Sequence, residues 1–246
     1  MKQNIIIRSD LILRNPYEVY IAITQNEDIK RWHKFISEYY LPPPGKKIFL
    51  FYPCSNTKPY TEARSYKLLF KNLASLGEKR KFVHVLTVSE PFALVPEEFF
   101  NKKTEWYDWK NGWYDCPGLF KWWCKKVGET YDEYYAQLCI DILAKVIKNF
   151  LNRLSLAYTS NDFKCIGFVR TMSSSLRVIS DHTHRKILEK AGANSKIKIE
   201  LLPSRSFIKS LVQKRGHIAW DFYGVAHPLS QRYLIKKINY YLKIIR

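Results

Sequence analysis

The chain has 246 residues, and its 41 Lys and Arg against 22 Asp and Glu give a net charge of +19. It has no run of about 18 apolar residues and no signal peptide at its start, which argues against a membrane-spanning or secreted protein and predicts a soluble, cytoplasmic one. Its five cysteines are widely spaced and odd in number, so neither a disulfide framework nor a zinc ribbon is indicated, and we expect no metal and no cofactor.

The first predicted element is a helical region at residues 16–40, which ends at the proline-rich segment 41–45. That triple proline is the best candidate for a boundary within the chain. We therefore predict a helical extension over residues 1–45 and a catalytic α/β domain over residues 46–246.

Apolar runs predict strands in the second part, and repeats at three- and four-residue spacing predict helices between them. The strands are expected at residues 47–52, 82–88, 165–169 and 197–202, and the helices at residues 131–154, 174–190 and 231–245. Strands separated by helices favour a parallel sheet covered on both faces. The fold class is therefore predicted as α/β, with three layers in αβα order and a mostly parallel central sheet of about four strands.

The basic charge favours an acidic partner, and nucleic acid is the natural candidate because each neutralised phosphate releases condensed counterions. Aromatic residues make up 15% of the chain and are potential stacking platforms for bases. A dense cluster of aromatic residues lies between residues 106 and 123, and it fits either base stacking or packing beneath a long irregular segment. The members of this aromatic cluster are Trp106, Tyr107, Trp109, Trp113, Tyr114, Trp122 and Trp123.

Reactive side chains follow the first predicted strand in the turn Pro53-Cys-Ser-Asn-Thr-Lys-Pro-Tyr60. Ligands of open α/β sheets bind just beyond the carboxyl ends of the strands, so Cys54, Ser55 and Lys58 are expected where chemistry takes place. The same residues would also suit a proline-bounded loop in which Ser and Asn satisfy backbone groups.

The stretch PCSNTKPYTEARSY at residues 53–66 resembles the Pro-Cys-Ser-x-x-Lys-Pro-Tyr-x-x-Ser-x-Ser-His signature of the archaeosine synthase family, which acts on archaeal transfer RNA. Residues 87–98 are similar to the family's Thr-Ser-Pro-Leu-Gly-Leu-Val-Pro-Arg-Glu-Leu segment. A Tyr-Asp element of the family has two candidate matches, Tyr107-Asp108 and Tyr114-Asp115. The chain departs from the signature at Tyr66, which replaces a histidine and would be a poor proton carrier near neutral pH.

The resemblance implies transfer RNA with 7-cyano-7-deazaguanine as substrate and an amine, that of free lysine, as the group added to the nitrile. It also implies pathway partners encoded separately, namely transglycosylase, RNA-binding or radical-SAM proteins. Addition to a nitrile needs a deprotonated amine and donors for the developing charge on nitrogen. Ser55, Lys58 and the loop amides would supply the donors, and Asp108 or Glu97 would orient the ammonium group.

Two chemical alternatives remain open at this loop. Cys54 is either a nucleophile that attacks the nitrile and is displaced by the amine, or a small buried side chain without chemistry. Glu97 follows a proline and equally fits the first turn of a helix. The remaining substrate-binding candidates are Pro53, Asn56, Pro59, Tyr60, Ser65, Ser89, His227 and Ser230.

His227 and Ser230 belong to Val225-Ala-His-Pro-Leu-Ser230, which is similar to a shortened form of the loop by which uracil-DNA glycosylase-like enzymes grip nucleic acid. That resemblance implies the uracil-DNA glycosylase-like fold. The same residues equally fit the start of a helix. The pair His182 and His184 suggests metal only superficially, because residues two apart on a helix point to different sides.

Three functions follow from these observations. The first is a tRNA-modifying transferase of the archaeosine type. The second is a non-catalytic or partner-dependent tRNA-binding subunit, and the third is a nucleobase glycosylase, which would release a base rather than add mass to it.

Overall fold

The computed structural model describes residues 6–159, 162–171, 183–215, 225 and 228–245. Its strands are β1 (Ile7–Ile12), β2 (Ile48–Pro53), β3 (Val83–Ser89), β4 (Ala93–Pro96), β5 (Trp113–Asp115), β6 (Lys164–Phe168) and β7 (Ile199–Leu202). Its α-helices are α1 (Pro16–Gln25), α2 (Glu27–Lys34), α3 (Arg64–Ala74), α4 (Lys121–Val127), α5 (Glu133–Ala157), α6 (Thr183–Ala193), α7 (Arg205–Arg215) and α8 (Pro228–Ile244).

The central sheet has the strand order β4-β3-β2-β6-β7. Strands β3, β2, β6 and β7 run parallel, while β4 pairs antiparallel with β3. The α/β class, the mostly parallel sheet and its four predicted strands are thus confirmed. Strand β4 was not predicted, because its apolar run is only four residues long and follows β3 after a tight turn.

Helices cover both faces of this sheet, which gives the three predicted layers. Even- and odd-numbered residues of β2 point to opposite faces of the sheet, because successive side chains of a strand alternate in direction. The Tyr52 ring meets Tyr66 of α3, whereas the Phe49 ring meets Tyr158 at the end of α5. Helices α3 and α8 pack together, as do α5 and α6.

The N-terminal region contains the two helices α1 and α2 followed by a π-helical turn at Phe35–Tyr39, as the helical pattern predicts. It also contains β1, which pairs parallel with β5 and was not predicted. Helix α1 packs against α5 of the second part. The predicted boundary at residue 45 stays a prediction, although buried residues on both sides of it contribute to one continuous core.

The long amphipathic patterns give the most accurate helix predictions. Helix α5 begins after Asp132, whose carboxylate accepts hydrogen bonds from the amides of Tyr134 and Tyr135. The predicted helix at 174–190 is observed from Thr183 onward, and its residues 174–182 lie outside the described ones. Among the described residues, no helix combines the length and apolar character needed to cross a membrane.

Candidate active site

A cavity of about 520 Å³ opens at the carboxyl edge of the central sheet. Strands β2, β3 and β6 end at this edge, and the chain that follows each of them lies beside the others because the strands are parallel. The cavity is lined by Pro53, Cys54, Ser55, Asn56, Lys58, Asp115, Cys116, Pro117, Phe120, Trp122, Trp123, Arg170, His184 and Val225.

At the cavity wall, Cys54 contacts a buried histidine and a buried glutamate. The Sγ atom of Cys54 lies 3.3 Å from Nε2 of His184 and 3.6 Å from Oε2 of Glu90. The same His184 nitrogen lies 2.9 Å from Oε2 of Glu90. Three groups able to carry or transfer protons therefore meet around one nitrogen atom.

Secondary structure fixes the positions of all three groups. The backbone amide of Cys54 donates to the carbonyl of Val88 at 2.9 Å, which extends the pairing of β2 with β3 by one residue. Glu90 is the first residue after β3, and His184 lies in the first turn of α6. The hydroxyl of Thr183 donates to the carbonyl of Leu119 at 2.8 Å and so fastens this end of α6 to the opposite cavity wall.

The cluster carries charge in a buried setting. Burial by itself lowers the pKa of His184, but the charges of Glu90 and Cys54 outweigh it and raise that pKa to about 10. His184 is therefore an imidazolium at neutral pH, paired with the Glu90 carboxylate. Both side chains are at most 2% exposed. Among the described residues, Oε1 of Glu90 has no hydrogen-bond partner, a costly state for a buried carboxylate oxygen.

Thiolate, imidazole and carboxylate are also a donor set for zinc, and the three donor atoms lie within 4.8 Å of one another. Zinc bonds of about 2.0 to 2.3 Å at tetrahedral angles would hold the nitrogen and oxygen donors more than 3 Å apart. The 2.9 Å separation of His184 Nε2 and Glu90 Oε2 is instead that of a direct charged hydrogen bond. We therefore describe the cluster as hydrogen-bonded side chains rather than as metal ligands.

Lys58 brings a second positive charge to the cavity. Its side chain is 4% exposed, and its Nζ atom lies 4.4 Å from the centre of the Tyr114 ring. In the described part of the chain it forms no ion pair. Behind it, the Tyr114 hydroxyl is hydrogen-bonded to the hydroxyls of Tyr60 and Ser89. Burial raises the pKa values of both tyrosines, so they remain neutral donors.

The opposite wall is the segment from Asp115 to Trp123. Asp115 is half-buried and lines the cavity, as does Trp122, which is 51% exposed. Gly118 allows this segment to approach α1 closely, because a Cβ atom there would lie 2.8 Å from the backbone nitrogen and oxygen of Asn15. The wall thus combines an acidic group with flat aromatic surfaces.

Several predicted site residues do lie at this cavity, namely Pro53, Cys54, Ser55, Asn56 and Lys58. Pro59, Tyr60 and Ser89 are buried behind it. Ser65 lies on α3, where its carbonyl accepts from the Tyr52 hydroxyl at 3.3 Å. Ser230 is buried in the first turn of α8, which favours the helix interpretation of its segment, and His227 lies outside the described residues.

Two predicted acidic residues are placed elsewhere. Asp108 caps its own turn, where Oδ1 accepts from the amides of Lys110 and Asn111 at 3.0 and 3.2 Å. Glu97 pairs with Arg80 and accepts from the Val85 amide at 3.2 Å, near the middle of β3. Burial raises the pKa of Glu97, but hydrogen bonding and nearby positive charge outweigh it and lower that pKa. Of the two Tyr-Asp matches, only Tyr114-Asp115 reaches the cavity.

Tyr66 has a structural place beneath the reactive loop. It is fully buried, and its hydroxyl donates to the carbonyl of Pro53 at 3.1 Å and lies 2.6 Å from the hydroxyl of Thr87. The imidazole that lies beside Cys54 is that of His184, which comes from a distant part of the sequence. Tyr66 supports the strand end that carries Cys54.

Most of the aromatic cluster is packing. Tyr107, Trp109, Trp113 and Tyr114 are buried in the core, and Trp106 stacks between Phe35 and Tyr39. Only Trp122 and Trp123 line the cavity.

Sequence reasoning did not select Glu90, His184 or Arg170 as site residues, and it named Asp115 only within one of the two Tyr-Asp matches. Glu90 and Arg170 follow strands β3 and β6, so the strand-end rule that selected Cys54 applies to them as well. His184 gave no such signal, because its proximity to Cys54 results from how α6 packs.

Comparison with known proteins shows similarity over part of the chain. A family model described as a domain of unknown function (DUF5591) matches residues 29–122. Archaeosine synthase subunit alpha of Thermococcus kodakarensis is 34% identical over 84 residues, which are 34% of this chain and 15% of that protein. The proteins of the same name from Thermoplasma acidophilum and Methanosarcina acetivorans are 37% and 35% identical over 71 residues, 29% of this chain and 13% and 11% of theirs.

These relatives confirm the sequence resemblance to the archaeosine synthase family over about a third of the chain, and the chain matches only a small part of their length. The segment at residues 29–122 includes Cys54 and Glu90, whereas His184 lies outside it. A solved crystal structure of AF0587, a protein of unknown function, aligns with a TM-score of 0.46 and 15% identity, covering 85% of this chain and 49% of that one.

Proposed function

We propose that this protein modifies transfer RNA by adding the amine of free lysine to the nitrile of 7-cyano-7-deazaguanine. One observation carries the proposal: the loop that resembles the archaeosine synthase signature forms the wall of a cavity at the carboxyl edge of the sheet. The similarity of this part of the chain to archaeosine synthase subunit alpha proteins supports the proposal.

The electrostatics of the cavity suit addition to a nitrile. Negative charge develops on the nitrile nitrogen as the carbon is attacked, so preorganised positive donors stabilise the transition state. Lys58 and His184 are such donors, and Ser55 lines the same cavity. A cluster held in place by the sheet needs little reorganisation during the reaction.

The amine must be positioned and must lose its proton before it attacks. Asp115 is the acidic residue at the cavity with a suitable place for binding the ammonium group, a role that the sequence had suggested for Asp108 or Glu97. Asp115 ends strand β5, whereas Cys54 and Ser55 belong to the loop after β2, and all three line the cavity. Lysine held there would face the nitrile across the cavity.

The cavity also has the size and lining for a nucleobase. Its volume of about 520 Å³ falls within the range of small-molecule sites, roughly 300 to 1,000 Å³. A base inside transfer RNA reaches such a pocket only after leaving its stack, which enzymes acting on bases achieve by extruding the nucleotide. The exposed face of Trp122 at the rim offers a stacking surface for the extruded base.

Net charge supports transfer RNA as the partner. With 41 basic against 22 acidic residues, the protein attracts phosphates, and we expect its RNA affinity to fall steeply with salt. Proteins of the same pathway that bind RNA, exchange bases or process the lysine adduct are further partners under this proposal.

The test is to incubate the protein with transfer RNA carrying the cyano base and with free lysine, then to weigh the nucleosides. A mass gain equal to lysine supports the proposal. Unchanged nucleosides with tight, salt-sensitive binding would show an RNA-binding subunit, and an abasic site would show a glycosylase. Transfer RNA with guanine at the same position is the substrate control.

A matched pair of lysine variants locates the activity. Lys58→Met removes one of the positive charges at the cavity and should lower the rate at least tenfold. Lys67→Met removes an exposed lysine that pairs with Glu62 and should leave the rate unchanged. Equal rates for the two variants would contradict the assignment of the cavity.

A further inference from the structure

We infer that Cys54, Glu90 and His184 form a nucleophilic unit in which the Cys54 sulfur bonds covalently to the nitrile carbon before the amine displaces it. The inference rests on the proposed function for the identity of the electrophile. It assigns catalytic roles to Glu90 and His184, which neither the strand-end loop nor the aromatic cluster had indicated.

Accessibility singles out Cys54 among the cysteines. Cys116, Cys124, Cys139 and Cys165 are buried, whereas Cys54 is partly exposed. Both Cys54 and Cys116 line the cavity, but Cys116 is only 6% exposed. Burial raises the pKa values of the other four thiols, which makes them poor nucleophiles. Only one sulfur atom is therefore both reachable and supported by charged neighbours.

The buried ion pair beside Cys54 supplies the second argument. Removing a carboxylate and an imidazolium from water is costly, and a pair of this kind is a weak source of stability. One oxygen of Glu90 also lacks a partner among the described residues, so the carboxylate is not used fully for structure. An ion pair that is costly to bury and that lies directly against an accessible thiol fits a role in acid–base chemistry.

The geometry gives each group one role. The thiol of Cys54 can donate to Oε2 of Glu90, 3.6 Å away, so the carboxylate accepts the proton as sulfur attacks. The Nε2–H group of His184 lies 3.3 Å from the same sulfur, where it stabilises the thiolate and can reach an atom bonded next to the attacked carbon. Glu90 thus acts as the base and His184 as the acid.

Atoms and charges balance without another reagent. In the first step the S–C bond forms, one C–N π bond breaks, Glu90 takes the thiol proton and His184 gives its proton to the nitrile nitrogen, which yields a thioimidate. In the second step the amine nitrogen bonds to the carbon and the S–C bond breaks. One amine proton returns to His184, the sulfur recovers its proton from Glu90, and the product is an amidine.

Other titratable and charged groups face the same cavity and contribute to its pH response. Lys58, Asp115, Cys116 and Arg170 line the cavity, and the buried Tyr60 and Tyr114 lie behind Lys58. The control variant below leaves all of them in place, so that a change in reactivity reports on the unit itself.

The first experiment measures alkylation of Cys54 by iodoacetamide at pH 7 in the folded protein, with peptide mapping to identify the cysteine. His184→Gln and Glu90→Gln should each slow alkylation at least tenfold. His84→Gln is the matched control, because it changes another buried histidine that pairs with a carboxylate. His84 lies on β3, away from the cavity, with its Nδ1 atom 3.5 Å from Oε1 of Glu97. This variant should leave the alkylation rate unchanged. Alkylation of both cavity variants at the rate of the parent protein would overturn the unit. Alkylation that requires prior treatment with a chelator would also overturn it, because it would indicate a metal-bound thiolate.

The second experiment uses Cys54→Ser, a small change at a partly exposed position, and so does not depend on variants of buried charges that fail to fold. With cyano-base transfer RNA and no lysine, the parent protein should form a protein–RNA complex that survives denaturing electrophoresis and is released by lysine, and Cys54→Ser should form none. Addition of lysine by Cys54→Ser at the parent rate would overturn the covalent step and leave the proposed function intact. A different result would be alkylation of Cys54 that depends on His184, with no lysine addition by the parent protein. That result would overturn the nitrile step and the proposed function together, while the reactive thiol would be retained.

Discussion

The charge of His184 makes the stability of the protein depend on pH in a defined window. The pKa of His184 is 6.5 in its ordinary state and about 10 in the folded protein, where Glu90 and Cys54 outweigh the effect of burial. A raised folded pKa means that the stabilisation is complete below pH 6.5 and is lost as the pH rises through 10. The effect is therefore expected on the alkaline side of neutrality, not in acid.

The magnitude follows from proton linkage. One pKa unit corresponds to about 1.4 kcal/mol, so a folded value near 10 gives His184 a contribution of roughly 4 kcal/mol at pH 7 and roughly 1 kcal/mol at pH 9. The free energy of unfolding should thus fall by roughly 2 to 3 kcal/mol across this window because of His184 alone.

The assay is urea unfolding of the parent protein and of His184→Gln at half-unit steps from pH 7 to pH 9. Titratable groups distant from His184 are present in both proteins, so their contributions cancel in the difference between the two free energies, whereas the thiol of Cys54, 3.3 Å from His184, belongs to the measured difference. That difference should shrink by roughly 2 to 3 kcal/mol with increasing pH. A difference that stays constant within about 0.5 kcal/mol would show that His184 is not charged in the fold and would refute the ion pair.

Three further substitutions test other parts of the structure. Tyr66→Phe should lower the free energy of unfolding by about 1 to 2 kcal/mol, measured in urea, because the hydroxyl bonded to Pro53 is lost; no change would show that this bond does not support the loop. Gly118→Ala should cost about 1 to 3 kcal/mol by thermal or urea unfolding, since its Cβ atom would press on the backbone of Asn15. Asp115→Asn should raise the KM for lysine about tenfold in the nucleoside assay while Asp108→Asn leaves it unchanged, and the reverse pattern would restore Asp108 to the site.

The strand-end loop shows how far reasoning from sequence extends. Residues 47–52 form an apolar run followed by turn residues, and both the strand and the place of Cys54 beyond it follow from local chemistry alone. The parallel order of the neighbouring strands then brings the ends of β2, β3 and β6 to one edge. Applied consistently, the same rule would have selected Glu90 together with Cys54.

Local patterns were insufficient where distant elements meet. Tyr66 looked like a failed proton carrier because its sequence position suggested a catalytic place, but the helix that carries it turns the side chain into the core beneath Pro53. Asp108 and Asp115 follow tyrosines in similar sequence contexts. Only the packing of their segment decides which carboxylate reaches the cavity.

By itself, the sequence determined the α/β class, the four parallel strands, the reactive loop and the basic character of the protein. These features depend on residue spacing and composition, which act over a few positions at a time. Tertiary structure alone decided that His184, which is 130 residues from Cys54 along the chain, lies 3.3 Å from its sulfur. The reason is physical: helix α6 is placed by its packing against α5 and β7, and no short-range pattern encodes where such packing brings one side chain.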